Sequence, residues 1–361
     1  MKAEDLFHQS IFGVLAAANR KRSVFFTNLF VPGKIWNILK VAVKYMFRLE
    51  GIKVYPLVVK IDDSPLCQLK CPVCIHADSE TQGFSKSDFI NKKMAFDLFC
   101  KIVDEVEGKS LAFSFGHMGE PFLNRSIYKM IRYVSDKGIS SYVTSNFSMK
   151  ISDEEMELLV TSAASAAVLM TVALDGFTQE VYSTTRINGN VDMVKDNLER
   201  LVAVRNRLGI KKFIIEVQTV EFKHNIHEIP LIKAYCKELG VDIHYIGYGE
   251  EEVWLDTFEP RDHPKKAKLM PYCAWPFFTS IIVYDGSVVL CPCYRLHETY
   301  VEGRERINVG NVKEASLLSL FNGKEYNLIR RMMHNPGIKD EGVKESFCYR
   351  CPIINGNNPE L

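Results

Sequence analysis

From about Tyr55 onward the hydrophobic pattern switches repeatedly between two periods. Short β-branched or aromatic runs occupy 57–61, 111–115, 141–144, 168–174, 213–219 and 242–246. Amphipathic stretches near 94–106, 126–136, 153–160, 191–208 and 226–239 lie between them. Strand, helix, strand in this order predicts βα units around a parallel sheet. Six strands are too few for a closed eight-stranded barrel. The expectation is an α/β fold, either an open partial barrel or a doubly wound sheet. In both, ligands sit at the carboxyl ends of the strands.

The pattern breaks after Gly247. Residues 249–272 are charged and Pro-containing and read as a linker. Within 273–361, the runs 281–284 and 288–290 flank Asp285-Gly286 and predict a β-hairpin. The expected organisation is an N-terminal arm (1–54), a barrel (55–248), a linker (249–272) and a cysteine-bearing unit (273–361).

The arm has its own pattern. Between Arg20 and Arg48 there are seven basic residues and no acidic one. After Pro32-Gly33, the polar positions Lys34, Asn37, Lys40, Lys44 and Arg48 form a narrow stripe on a helix otherwise apolar from Ile35 to Phe47. A wide apolar face beside a basic stripe suits a helix lying on a membrane surface or lipid-like carrier. The competing expectation is a helix packed on the barrel bottom with its lysines in solvent. Glu4 and Asp5 precede the apolar run 11–18 and Arg20-Lys21-Arg22 follows it, the wrong order for a secretory signal. The expected location is cytoplasmic, peripheral at the inner membrane face where the arm docks.

Composition narrows the chemistry. The chain has 361 residues, 47% of them hydrophobic and 25% charged, as in a folded soluble protein. A formal net charge of +1 and the lack of a basic stripe interleaved with aromatics argue against nucleic acid as a partner. Ten cysteines in a reducing compartment suggest metal rather than disulfides. The strongest signal is Cys67-Gln-Leu-Lys-Cys71-Pro-Val-Cys74, directly after the first predicted strand. Three thiolates so close can hold three corners of a cubane iron–sulfur cluster, leaving the fourth iron open to a substrate or cofactor. Zinc, with His76 as fourth ligand, is the alternative for this segment alone.

The spacing resembles the radical S-adenosylmethionine (radical SAM) enzymes, and further segments resemble that family in the same order. Gly116-His-Met-Gly119-Glu120-Pro121 follows the second strand, Thr144-Ser145-Asn146 the third, and Leu174-Asp175-Gly176 with Arg186-Ile-Asn-Gly189 the fourth. The resemblance implies a partial (βα)6 barrel and a [4Fe–4S] cluster whose open iron binds SAM. It also implies reductive cleavage to a 5′-deoxyadenosyl radical that takes hydrogen from substrate. Glu120 and the backbone at Gly119 would hold the SAM amino group, Ser145 and Asn146 the ribose, and Arg186, beside Asp175, the carboxylate. Gln218 and Asn225 flank the end of the fifth strand and are further candidates. The types suit the task, since an ammonium wants a carboxylate and a carboxylate a guanidinium fork. An electron donor such as flavodoxin or ferredoxin is the implied partner.

The C-terminal unit resembles the SPASM/twitch extension of the same family. Cys273, Cys291, Cys348 and Cys351 match the one-cluster twitch pattern, which implies one auxiliary [4Fe–4S] cluster and leaves Cys293 over. One cluster favours a dehydrogenase or epimerase type acting on a sugar, aminocyclitol or lipid-linked substrate. A peptide-modifying maturase is the alternative, and a zinc-binding interaction protein the non-enzyme one. Candidate catalytic groups near the strand ends are His117, Tyr248, Glu250 and Cys293.

Overall fold

The computed structural model describes residues 24, 28–72, 74, 90–116, 118–248, 273–290, 309–335, 338–340 and 342. His117, Glu250, Cys291, Cys293, Cys348 and Cys351 lie outside the described residues, as does the side chain of Tyr248. Helix α1 (Pro32–Phe47) precedes strand β1 (Val58–Asp62). There follow α2 (Phe96–Val106), β2 (Ala112–Phe115), α3 (Ile127–Asp136), β3 (Ser140–Ser145), α4 (Asp153–Thr161) and β4 (Val168–Ala173). Next come α5 (Gln179–Thr185), α6 (Val191–Leu208), β5 (Phe213–Glu221), α7 (Ile229–Leu239) and β6 (Ile243–Tyr248). All six strands fall on the predicted runs, with ends moved by one or two residues.

Strands β1 to β6 pair in parallel and in unbroken sequential order. Right-handed crossovers in that order place every helix on one face of the sheet. This is the barrel type of winding, and it decides against the doubly wound alternative. Alternate strand residues confirm two distinct faces. Val59, Ile61, Phe113, Phe115, Val143, Met170, Val172, Ile215 and Val217 join the helices in one large buried core. Ala112, Leu169, Tyr142, Ile214 and Ile243 meet on the opposite, inner face, with Val24 buried among them as a floor.

Helix α5 was not anticipated. Its sequence is polar and Thr-rich, but Thr178 caps its N-terminus, and Glu228 accepts hydrogen bonds from Phe177 N, Thr178 N and Thr178 Oγ1. The predicted hairpin is present as β7 (Thr279–Val283) and β8 (Val288–Val289), after the single turn α8 (Trp275–Phe278). Gly286 takes φ +91 in its turn, as the Asp-Gly pair requires. Strand β7 also pairs in parallel with β1, from Val58↔Thr279 to Asp62↔Val283. The hairpin thus extends the barrel sheet to eight strands and covers an edge that would otherwise be bare. Helices α9 (Leu317–Phe321) and α10 (Lys324–His334) pack behind it, where the buried Tyr326 donates to Ser280.

The N-terminal helix corrects the sequence expectation. It does lie across the bottom of the barrel, but with its polar stripe inward. Lys34, Asn37 and Lys44 are buried. Lys34 Nζ donates to Gly138 O at 2.7 Å, and Asn37 Nδ2 donates to Tyr55 O at 3.1 Å and Lys109 O at 3.2 Å. Lys44 Nζ donates to Ile52 O at 2.9 Å and to Asn322 Oδ1 at 3.2 Å. The reason is backbone accounting. Loops entering β1, β2 and β3 leave carbonyls at the barrel floor that need donors, and an unmet one is costly. Val41 and Tyr45 are buried beside this stripe, while the rest of the apolar face is left outside, with Trp36 and Phe47 each 64% exposed. Among the described residues, no helix is long and apolar enough to cross a membrane.

Replacing Asn37 by Leu should therefore destabilise the protein by about 3 kcal/mol, because two carbonyls and the Tyr55 amide lose their partner at once. Replacing exposed Trp36 by Ser should cost less than about 0.5 kcal/mol. Denaturant midpoints of the two variants test the inverted orientation; equal losses would contradict it.

Candidate active site at the carboxyl ends of the strands

Strand β1 ends in two buried carboxyls, and both are tied to the loop after β2. Asp62 Oδ1 accepts from Met118 N at 3.2 Å, and Asp63 Oδ2 from Asn124 Nδ2 at 2.7 Å. Burial pushes Asp62 up to about 7 and Asp63 up to about 8, against the pull of those hydrogen bonds. Glu120 N donates to Leu66 O at 2.8 Å and completes the strap. Two glycines permit it. A Cβ on Gly119 would lie 1.9 Å from Ser64 O, and one on Gly116, already at φ +81, would lie 2.1 Å from Thr144 O. No side chain fits at either position.

The strapped loop carries Cys67, Cys71 and Cys74, none of them disulfide-bonded. Cys74 N donates to Cys71 O at 3.0 Å, curling the segment. Gln68, between the first two thiols, donates to Asn146 Oδ1 at 2.8 Å and Ser148 O at 3.1 Å, so the loop is also fixed to the end of β3. Asn146 Nδ2 lies 3.8 Å from Cys67 Sγ as a donor. Burial pushes the Cys67 thiol up to about 12, and Glu120, Cys74 and Cys71 add to it. A buried thiol held up in this way becomes a ligand only around a cationic centre, which thiolate coordination supplies.

Glu120 sits beneath this loop, buried. Its Oε1 accepts from Ser145 Oγ at 2.7 Å and Phe122 N at 3.2 Å, and its Oε2 from Asn146 N at 2.8 Å. Burial still outweighs these bonds and lifts the carboxyl to about 7. Three of its roughly four acceptor positions are filled, leaving one for a cationic ligand. Glu120, Ser145 and Asn146, read separately from two loops, thus form one network.

After β4, Asp175 and Arg186 form a second pair. Arg186 Nε donates to Asp175 Oδ2 at 2.7 Å, and Asp175 Oδ1 accepts from Val220 N at 2.7 Å. The remaining guanidinium edge reaches toward Cys71, with Nη1 at 4.0 Å from Sγ. Burial pulls the guanidinium pKa down, but Asp175 and Cys71 outweigh it and hold the charge. Helix α5 sets this geometry, since Arg186 is its C-cap residue. Asn225 is fully buried and gives its amide to Asp175 O and Val220 O while its oxygen accepts from Phe222 N. Both amide hydrogens of Asn225 are used, so it ties the backbone of Asp175 to the end of β5. Gln218 is half-buried on the inner face, level with Ala173.

The structure adds residues that a reading of the loops missed. Beside Gln218, already singled out, the inner face of the sheet carries Lys60, Ser114, Tyr142, Thr171 and Glu216 on five consecutive strands, by the pleat that sends their neighbours to the core. Thr171 Oγ1 donates to Glu216 Oε1 at 2.9 Å. The signal was present as a polar residue at every second position in otherwise apolar runs. In the C-terminal unit, buried Cys273 directly precedes α8. Asn311 locks the hairpin turn by donating to Asp285 O at 3.2 Å. The other three expected auxiliary ligands, and Cys293, lie outside the described residues.

Comparison with known proteins decides what this geometry belongs to. Residues 273–352 match the SPASM family, an iron-sulfur cluster-binding domain. The tungsten-containing aldehyde ferredoxin oxidoreductase cofactor-modifying protein of Pyrococcus furiosus is 26% identical over 306 residues, 74% of this chain and 82% of that one. The AdoMet-dependent heme synthase of Methanosarcina barkeri is 25% identical over 207 residues, 55% of this chain and 53% of its own length. Among solved structures, Streptococcus suis SuiB bound to S-adenosylmethionine shares the fold with a TM-score of 0.58 at 17% identity, over 88% of this chain and 76% of SuiB. Native anSMEcpe with bound AdoMet does so with a TM-score of 0.52 at 16% identity, over 82% of this chain and 87% of that one. Together these matches support a radical SAM enzyme with a SPASM domain. The SPASM match and the SAM-bound structures are consistent with a [4Fe–4S] cluster, SAM and an auxiliary iron–sulfur cluster as cofactors. The donors fit them: three clustered thiols, a buried carboxyl with one free acceptor position, and a guanidinium anchored to Asp175 through Nε with its Nη edge toward Cys71.

Gly119→Ala in this radical SAM enzyme should unseat the thiol loop. We expect it to lose most of the iron held by that loop, while Gly51→Ala, where no atom lies within 4 Å of the added Cβ, keeps it. Iron and sulfide analysis with far-UV circular dichroism checks this; full iron loading in Gly119→Ala would contradict it.

Proposed function

We propose that this enzyme abstracts hydrogen from a small polar molecule, a sugar, aminocyclitol or lipid-linked group, held on the inner face of the barrel. Residues 55–248 carry the SAM chemistry, 249–272 link it, and 273–361 hold the auxiliary cluster through Cys273, Cys291, Cys348 and Cys351. The observation that carries the reading is the inner polar row from Lys60 to Gln218, on the same strands whose carboxyl ends bear the thiol loop. Hydroxyl, carboxylate and ammonium groups there suit a substrate rich in hydroxyl or amino groups. The name of the P. furiosus relative, a protein that modifies a cofactor, also favours a small molecule.

When bound, the open-iron cluster and SAM supply one-electron hydrogen abstraction. The chain's own part is to bind and orient. Cys67, Cys71 and Cys74 hold the cluster. Glu120 takes the SAM ammonium at its remaining acceptor position, and the Nη edge of Arg186 takes the carboxylate. Asn146 and Ser145 border the ribose. Asp175 and, behind it, Asn225 keep Arg186 in place, and Gln218 faces the adenosyl end. His117, Tyr248, Glu250 and Cys293 are the candidates for contact with substrate or the auxiliary cluster. A flavodoxin or ferredoxin would deliver the electron, and Cys273, Cys291, Cys348 and Cys351 would hold an auxiliary cluster able to accept or relay one. Peptide modification is the second reading, since anSMEcpe has been solved with a bound peptide and SuiB with its precursor peptide.

Anaerobic reconstitution and a reductive assay for 5′-deoxyadenosine test the chemistry. Wild type should hold about eight iron atoms, and the Cys67→Ala, Cys71→Ala, Cys74→Ala triple variant about four with no cleavage of SAM. The Cys348→Ala, Cys351→Ala pair should keep some uncoupled cleavage but form no product. Unchanged iron in the triple variant would contradict the cluster assignment.

Arg186→Ala should weaken SAM binding about ten- to a hundredfold, the loss of one charge-assisted partner. Asp175→Asn should weaken it less, since Arg186 stays charged but is held more loosely. Equilibrium dialysis with SAM reads both, and wild-type affinity in Arg186→Ala would refute the role given to that residue.

A further inference from the structure

The outward face of α1 and a cavity at its C-terminal end have no part in the reaction described above. Trp36, Leu39 and Phe47 are 52–64% exposed, with Ile35 and Met46 beside them. Phe30, at 88%, and Leu49 continue the apolar strip past both ends of the helix. This amounts to a row of large apolar side chains on the floor of the barrel, opposite the thiol loop, with the helix's own polar residues turned away from it.

At its C-terminal end the strip meets a cavity of about 180 Å³. Arg48 and Leu49 belong to both, and Lys44, Arg330, Arg331 and His334 complete the basic lining. Among the described residues, buried Arg330 has no hydrogen-bond partner for Nη2, and buried His334 has none for either ring nitrogen. One acid, Glu50, lines the cavity, and Arg331 Nη1 already holds it at 3.1 Å. Phe277 and Phe321 stack around the Arg330 guanidinium but cannot meet its N–H groups. Burial pulls Lys44 down to about 8 and Arg330 to about 10, so the cations sit together at a cost that an incoming anion would offset.

We propose that this floor docks on an anionic phospholipid surface, the strip from Phe30 to Leu49 entering the acyl boundary and the cavity taking a phosphate headgroup. The pairing of apolar strip and anion-seeking cavity favours lipid over a second copy of the chain, whose matching face would bring the same cations together. Of the seven basic residues between Arg20 and Arg48, which no acid accompanies, Lys34 and Lys44 are turned inward, and exposed Arg48 adds to the attraction. Docking by the floor leaves the carboxyl ends of the strands, with SAM and substrate, facing away from the membrane. The inference does not depend on the substrate reading.

The test is flotation of the reconstituted full chain with vesicles of phosphatidylcholine alone and of phosphatidylcholine mixed with phosphatidylglycerol, followed by tryptophan emission. The mixed vesicles should bind it and shift emission to the blue, and Trp36→Phe should abolish most of that shift. Leu39→Glu with Phe47→Glu, both at exposed positions, should weaken partitioning more than about tenfold. Arg48→Gln and Arg331→Gln should each remove about fivefold of the preference for the anionic vesicles. No binding, or equal binding to both vesicles, overturns the proposal. So does Trp36 emission that is already blue and shielded from quencher in vesicle-free monomer, which would mean the chain covers its own strip. A dimer in light scattering that Leu39→Glu with Phe47→Glu dissolves would assign the face to a second copy instead.

Discussion

An open parallel sheet leaves hydrogen-bonding groups bare at its edges and at both ends of its strands, and most unusual residues of this chain answer that one constraint. The edge beside β1 is met by β7, brought back from more than two hundred residues away. Carbonyls at the floor are met by Lys34, Asn37 and Lys44. At the carboxyl ends the demand is reversed. There, amides Met118 N, Asn146 N and Val220 N find acceptors in Asp62, Glu120 and Asp175. Each bond is worth about 1 kcal/mol net, but leaving the buried group unmet costs more. Site formation and fold formation are therefore the same event at the strand ends, and Asp175 holds a backbone amide and Arg186 at once.

What could be read from the chain alone follows from which interactions are local. The strands were legible because β-branched runs recur between helical periods, and the thiol loop because three cysteines at fixed spacing imply chemistry by themselves. The network of Glu120 with Ser145 and Asn146 was half legible. The residues were singled out, but not that they bind one another across 25 residues. Helix α1 was read correctly as amphipathic and wrongly oriented. Periodicity measures the separation of polar from apolar positions and is silent on which side faces the protein. The carbonyls that draw its polar stripe inward come from Gly138, Lys109 and Tyr55, which no local pattern links to it. Helix α5 was hidden for a similar reason, because Glu228, 50 residues on, holds its start.

The near-zero net charge also conceals an ordering that only the fold reveals. Among the described residues, the buried acids Asp62, Asp63, Glu120, Asp175 and Glu228 lie at or after the carboxyl ends of the strands and Glu216 lies within β5, while the buried bases Lys34, Lys44 and Arg330 lie toward the floor. Arg186 is the exception, and it is the one base at the upper end tied to an acid. Burial strains each set in its own direction, raising Glu120 and the first two acids and lowering the three bases. A cation entering at the top is therefore favoured for the same reason as an anion at the bottom. On the proposed reading, SAM, with its ammonium and sulfonium, matches the upper field, and its carboxylate would meet Arg186. The two ends of the barrel would then take ligands of opposite charge, because the strand-end loops that gather acids and the floor that gathers bases are formed by opposite termini of the same strands.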